Sequence, residues 1–505
     1  MNLSPELILS IVAGYFLILM GVSWWTGRKA DNADFFIAGR QSPWVLVAIG
    51  MIGASLSGAT FISIPGAIGA VDADGAPKLN YAFSYMQTVF GYLLGYLVIA
   101  HVLMPLYYRL NLTSIYGYLE QRFGFFSYKT GAAYFLLSRI IGASFRLFLM
   151  AIVLDKFVME PFGIPFWGTV AITILLIWVY TFQGGIKTIV WTDTLQTVCM
   201  LTAVTLTILA IGNALEEDVS GLISLVQNSD YSQMFFFEGG WADPNNFFKQ
   251  FISGALITIV MTGLDQDMMQ KNLSCRTLKD AQKNVYLFSG ILIIANLLFL
   301  TLGALLYIYS ANIGVEIPAR TDQLYPTLAF QHLPATVGIV FILGLIAAAY
   351  SSADSALTAL TTSFCIDFLD FEKKTDKPES EKKKTRWMVH IGFSVILFIV
   401  IVIFNSLSND SVINELLKIA GYTYGPILGL FVFGMFTKRQ LRDKYVIPIC
   451  IAAPVLSYFI NTYSATLLGG FQFGVLIIAL NGLLTFLGLW AISFERIHTE
   501  ESVQK

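Results

Sequence analysis

Three serine hydroxyls and one carboxylate stand together in the run Ala347-Ala348-Ala349-Tyr350-Ser351-Ser352-Ala353-Asp354-Ser355, deep inside an apolar stretch. At helical spacing Ser351, Asp354 and Ser355 fall at i, i+3 and i+4, so their oxygens converge on one face. That face offers ligands to a hard cation, and ionisable residues within lipid mark ion or substrate paths. The alternative is a serine-rich packing surface, because small residues let membrane helices approach and serines bond back to their own carbonyls. The cost of an unpaired carboxylate in hydrocarbon weighs against it.

Two other constellations carry chemistry. Between Gly50 and Gly66 the sequence GMIGASLSGATFISIPG holds Gly50, Gly53, Gly58, Pro65 and Gly66, which makes a poor continuous helix. A break would free carbonyls that a membrane tolerates only where a cavity, a neighbouring helix or an ion receives them, and transporters bind ions and solutes at such breaks. Close packing through small residues accounts for the same spacing equally well. Arg139 and Arg146, seven residues apart, share one helix face. They either hold an anionic solute through bidentate bonds or pair with Asp354, Asp193 or Asp265.

The elements that must position these groups follow from composition. The chain of 505 residues is 56% apolar and only 13% charged, with mean hydropathy +0.68, which excludes a soluble globular class and gives a polytopic membrane protein. A net charge of −2 argues against nucleic acid as a partner. Cys199, Cys365 and Cys450 lie in apolar spans and Cys275 in a basic loop, with neither disulfide nor thiolate-metal spacing. Arg28 and Lys29 follow the first apolar run rather than precede it, so the first helix is expected to be retained.

A window of roughly 20 apolar residues gives about 13 spans: 5–26, 44–70, 80–108, 130–157, 164–183, 189–212, 247–270, 284–311, 334–366, 386–407, 413–436, 444–462 and 470–494. The odd-numbered exits are basic: Arg28, Lys29 and Arg40; Arg109, Arg122 and Lys129; Lys187; Lys271, Arg276, Lys279 and Lys283; the lysines of 372–386; and Lys438, Arg439, Arg442 and Lys444. Even exits carry mainly acids, so the N-terminus is expected outside and the C-terminus in the cytoplasm. The stretch EKKTDKPESEKKKTR, 372–386, has no apolar periodicity and reads as a solvated cytoplasmic loop. The segment 216–246 is expected to fold over the outer face.

The glycine-rich GMIGASLSGATF, the stretch Gly184 to Asp193, Gly263-Leu264-Asp265-Gln266 with Gln270-Lys271, the AAAYSSADS run and GPILGLFVFGMFTKR from Gly425 to Arg439 occur in that order along nearly the whole chain. Together they resemble the sodium:solute symporter family of sugar, proline and sialic acid transporters. The resemblance implies an all-α membrane protein with the LeuT-like fold of inverted five-helix repeats. It divides the chain into a first helix and loop (1–43), a transport core (44–436, spans 2–6 and 7–11) and two C-terminal helices with a tail (437–505).

What the resemblance implies for the site is specific. The main sodium site maps onto the carbonyls of Gly53, Leu56 and Ala348 and the hydroxyls of Ser351 and Ser352. A second sodium site, present in some members, maps onto Asp193, Ser351, Asp354 and Ser355, and this chain departs from the pattern at Asp354, where a hydroxyl residue is usual. Asp354 would strengthen that site, convert it to proton coupling, or pair with a buried arginine. For the solute cavity the resemblance points to Ser55, Ser57 and Thr60, with Gln87 a weaker candidate; the equal alternative for each is that its side chain satisfies the backbone of the broken helix. In the sialic acid branch a solute-binding arginine falls nearest Gly142, between Arg139 and Arg146. The expected function is sodium-coupled import of a small polar solute, with an anion favoured if the arginines face the cavity; its partners are the solute, sodium and the bilayer, with no obligate protein partner evident. The alternatives are proton coupling, or a channel or sensor on the same fold. His101, His332, His390 and His498 are scattered and no phosphate loop or nucleophile motif stands out, so no enzyme is expected.

Overall fold

The computed structural model describes residues 5–28, 30–72, 74–182, 184–374, 377–407 and 412–495; Lys29 and His498 lie outside them. Lipid cannot satisfy backbone polar groups, so apolar stretches must close their own hydrogen bonds, and the spanning elements are helices. We number the main helices in chain order: α1 Pro5–Gly27, α2 Trp44–Ser55, α3 Gly58–Ala67, α4 Tyr85–Val98, α5 Phe125–Leu154, α6 Phe166–Thr181, α7 Ile186–Ala214, α8 Phe247–Thr258, α9 Gln266–Leu273, α10 Leu278–Ile313, α11 Ala335–Ser363, α12 Glu379–Leu407, α13 Val412–Phe436, α14 Val446–Leu467 and α15 Ile477–Ile492. A two-residue antiparallel strand pair, Gln440–Leu441 with Ser493–Phe494, ties the last helices together.

Among the described residues ten helices are long and apolar enough to cross a membrane, and up to twelve spans result if each bent pair counts as one. The expected count of thirteen is therefore not reached: α6, at the fifth expected span, has only 16 residues. The two bent pairs are α2 with α3, turned by 60°, and α8 with α9, turned by 66°. The first break falls within the glycine-rich stretch, at Leu56 and Ser57. The second, at Leu264 and Asp265, follows a wide π-helical turn over Ile259–Gly263.

Around these breaks α7 lies along α11, α2 packs on α7, and α5 packs against both α11 and α13. Gly53 is required where α2 meets its neighbours: a Cβ there would stand 2.8 Å from Thr197 Oγ1 and 2.9 Å from Ser351 Oγ. A Cβ on Gly58 would stand 3.1 Å from Ala349 Cβ. The missing side chains let the break sit directly on the Ala348–Ser352 stretch of α11.

Two expectations about loops need correction. The charged stretch 372–386 is helical from Glu379 onward, and Arg386 is buried, with its guanidinium 4.1 Å over the Phe35 ring and donating to Asn32 Oδ1 at 2.8 Å. Lys271 is not a solvated loop charge either, being only 1% exposed.

Candidate ion and solute site

The break at Leu56 ends α2 because Leu56 leaves helical geometry, at φ −87° and ψ 78°, while its N–H still bonds to Ile52 O at 2.7 Å. The last carbonyls of a helix have no partner within it, so the break presents oxygens from the Gly53–Leu56 turn. Thr197 fixes that turn, accepting from the Gly53 N–H at 2.9 Å and donating to Ile49 O at 2.9 Å. Facing it, Ala348, Ser351 and Ser352 are all buried on α11. Carbonyls and hydroxyls are the donor set a hard monovalent cation takes.

Two carboxylates lie on either side of Ser351. Asp193 accepts from Ser351 Oγ at 2.6 Å and from Lys271 Nζ at 2.5 Å, so both of its oxygens are engaged. Asp354 accepts from Tyr180 OH at 2.7 Å and from the Ser355 N–H at 2.5 Å. Both carboxylates are fully buried. No Lys, Arg or His among the described residues comes within 4.0 Å of Asp354. Its Coulombic neighbours include Asp193 and Lys271, and the Ser355 hydroxyl beside it has no hydrogen-bond partner.

The arginines divide. Arg139 contacts Asp267 Oδ2 directly and lies 3.8 Å from Asp265 Oδ2. Asp265 also accepts from Tyr424 OH at 2.5 Å, and it caps α9 by accepting from the Asp267 and Met268 N–H groups at 2.9 and 3.4 Å. Arg146 instead donates through Nη1 to Ser352 Oγ at 2.9 Å, and its Nε is buried without a partner. No carboxylate among the described residues stands within 4.0 Å of Arg146. Both guanidiniums border a small cavity that is also lined by Gly142, Met261, Ala420 and Tyr424. A second cavity lies one to two turns further along α5, between Leu149, Ile152, Val153 and Ile62, with Lys156 and Arg320 on its polar side.

Of the remaining residues expected at the solute cavity, Ser55 neighbours Tyr96, which also lies near Thr258 and Thr262. Ser57 is buried at the start of α3 and its side chain does not cap that helix. Thr60 is half-buried on α3. Gln87 is engaged elsewhere: its amide donates to Asn245 O at 2.9 Å and accepts from the Phe236 N–H at 3.0 Å, holding the segment 216–246 against α4.

Sequence reasoning did not anticipate three groups here. Lys271 reads from sequence as one of the basic loop charges, although its place beside Gln270, in a stretch that carries the family resemblance, is a signal. Asp267 carries a signal as the second carboxylate of Asp265-Gln266-Asp267, whereas Tyr424, one of two tyrosines in Gly421–Gly425, has none.

A family model, sodium:solute symporter family, matches residues 35–443. The human sodium/iodide cotransporter is 27% identical over 445 residues, covering 84% of this chain, which spans 65% of that relative's length. The sodium/sialic acid symporter NanT of Aliivibrio fischeri is 26% identical over 484 residues, covering 92% of this chain and 88% of the relative. A solved Na+-coupled sialic acid symporter in a substrate-bound, outward-open state superposes with a TM-score of 0.79 at 20% identity, covering 95% of this chain and 96% of that one. That likeness shows the fold, which is LeuT-like.

Proposed function

From the premise that this chain belongs to the sodium:solute symporter family, we propose that it couples sodium to the inward movement of a small carboxylated solute, of the sugar-acid kind, by alternating access. It is a transporter and not an enzyme, and sodium is its coupling ion. The observation that carries the anionic solute is the placement of charge around Arg146. Arg139 is matched by Asp265 and Asp267 and Lys271 by Asp193, while Arg146 has no carboxylate within ion-pair distance. A half-buried guanidinium without a counter-charge in a water-poor site is costly, and a solute carboxylate entering the adjoining cavity would supply one through two parallel bonds. The sialic acid carried by NanT and by the similar solved structure fits that demand.

In this reading Gly53, Leu56, Ala348, Ser351 and Ser352 hold sodium, and Ser55, Ser57, Thr60 and Arg146 face the solute. Arg139 acts as a structural ion pair that walls the cavity. Gln87 would have to release its loop contacts to join them. The contact between Gly53 and Ser351 supports the sodium assignment. The Ser352→Ala variant is expected to raise the sodium concentration needed for half-maximal sialic acid uptake in vesicles; unchanged sodium activation would remove Ser352 from the site.

Proton coupling is a second reading, favoured by Asp354, which no basic group within ion-pair distance neutralises. A second cation bound by Asp354 and Ser355 would offset that charge, with Asp193 already occupied by Lys271.

The finer architecture belongs to the same proposal. Breaks of 60° and 66° at the second and seventh expected spans support two repeats over 44–436, each opening on a broken helix, flanked by 1–43 and 437–505. α6, at about 24 Å for its length, completes thirteen spans if Ile164, Pro165 and Phe182 extend it. Arg276, Lys279, Lys283, Lys373 and Lys374 keep the odd exits basic without Lys271 and Arg386, which supports an outside N-terminus and a cytoplasmic C-terminus. A C-terminal reporter that fluoresces only in the cytoplasm should light up; a dark fusion in intact cells contradicts that orientation.

A further inference from the structure

We propose that Arg146 couples the two cargoes by competing with sodium for Ser352: the guanidinium either lies on the serine hydroxyl or turns into the adjoining cavity to meet the solute, and sodium drives it to the second position. The inference rests on the sodium-site reading above and extends it to how the ion is felt by the solute.

Arg146 stands at the boundary of both sites. Its Nη1 donates to Ser352 Oγ at 2.9 Å, and the same side chain lines the cavity with Gly142, Met261 and Tyr424. A hydroxyl oxygen has two lone pairs, so one guanidinium bond does not by itself block an ion. Charge does. An oxygen-bound hard cation sits about 2.4 Å from its ligand, which would leave sodium and the guanidinium roughly 4 to 5 Å apart in a water-poor interior. No carboxylate within 4.0 Å of Arg146 screens that repulsion. Arg139 adds to it from one side, and Asp265, the carboxylate that Arg146 senses from further off, is already engaged by Arg139 and Tyr424.

The two arrangements are therefore alternatives, and linkage makes their effect reciprocal. Sodium on Ser352 frees a guanidinium for an anion in the cavity. An anion that draws Arg146 into the cavity clears Ser352 for sodium. A neutral solute has no hold on the switch, so the device favours carboxylated cargo and makes its binding depend on the ion.

Sodium alone is the probe that tests this. The purified transporter is titrated with sodium without any solute, following intrinsic tryptophan fluorescence, for wild type, Arg146→Gln, Arg146→Lys and Ser352→Ala. Removing the competing charge in Arg146→Gln should tighten sodium binding by roughly tenfold or more. Arg146→Lys, which keeps a cation on the same stem, should stay near wild type. Sodium binding that is unchanged or weaker in Arg146→Gln overturns the proposal. If Ser352→Ala binds sodium as wild type does, the ion-site reading itself fails and the competition with it. A measurement on the unaltered protein guards against misfolded variants: sodium should speed modification of Arg146 by phenylglyoxal, read by peptide mapping, and a rate that is unchanged or slowed contradicts the displacement.

Discussion

Arg139 and Arg146 are the same residue type on the same helix face, yet their surroundings differ, and so do the roles proposed for them. Arg139 is held by two carboxylates from the second broken helix; Arg146 meets only a hydroxyl within bonding distance. Replacing Arg139 by Gln should leave Asp265 and Asp267 uncompensated and cost about 3–5 kcal/mol, seen as a lower thermal midpoint, whereas Arg146→Gln should unfold near wild type. Equal midpoints would contradict this division. Asp354 is the anionic counterpart of Arg146. Two carboxylates near each other favour an added cation or proton, so Asp354→Asn is expected to lower the sodium Hill coefficient of uptake or to abolish its pH dependence. A variant that keeps both would reduce Asp354 to a partner of Tyr180. The polar face of α11 was legible in the sequence because hydroxyls and a carboxylate at helical spacing are rare in lipid. The fate of each arginine was not, because spacing alone cannot say which of three aspartates the tertiary fold brings near.

At the level of the elements, the two bends frame the proposed site. The first was readable in Gly50, Gly53, Gly58, Pro65 and Gly66, which no straight helix prefers. The second was not, because only Gly263 and the capping Asp265 mark it, and a π-helical turn has no composition of its own. The first break depends on contact without side chains. Gly53→Ala would place a methyl carbon under 3 Å from both Thr197 Oγ1 and Ser351 Oγ, so it should weaken sodium activation of uptake by pushing α2 from α11. Sodium activation identical to wild type in Gly53→Ala would show that the two helices need not approach so closely. The helical start of α12 at Glu379 was hidden for another reason: a helix can continue past the membrane surface, where apolar periodicity is no longer required.

Across the whole molecule, hydropathy carried the class and the order of spans but not their number, since α6 is shorter than a span and two spans are bent. The loop charges carry the proposed orientation, although Lys271 and Arg386 are interior groups that sequence does not distinguish from solvated ones. What the assembled core adds is a count of charges in space. Around the two breaks, Arg146 and Asp354 stand without ion-pair partners once Arg139 and Lys271 have met theirs, and a cargo made of an organic anion and a small cation would match them. The most direct test is uptake into reconstituted vesicles under an inward sodium gradient, comparing sialic acid with an uncharged sugar, in wild type and Arg146→Gln. The account predicts sodium-driven accumulation of sialic acid, reduced about tenfold or more in Arg146→Gln by loss of a charge-assisted pair, and no accumulation of the uncharged sugar. Sodium-driven accumulation of the uncharged sugar, undiminished in Arg146→Gln, would contradict it.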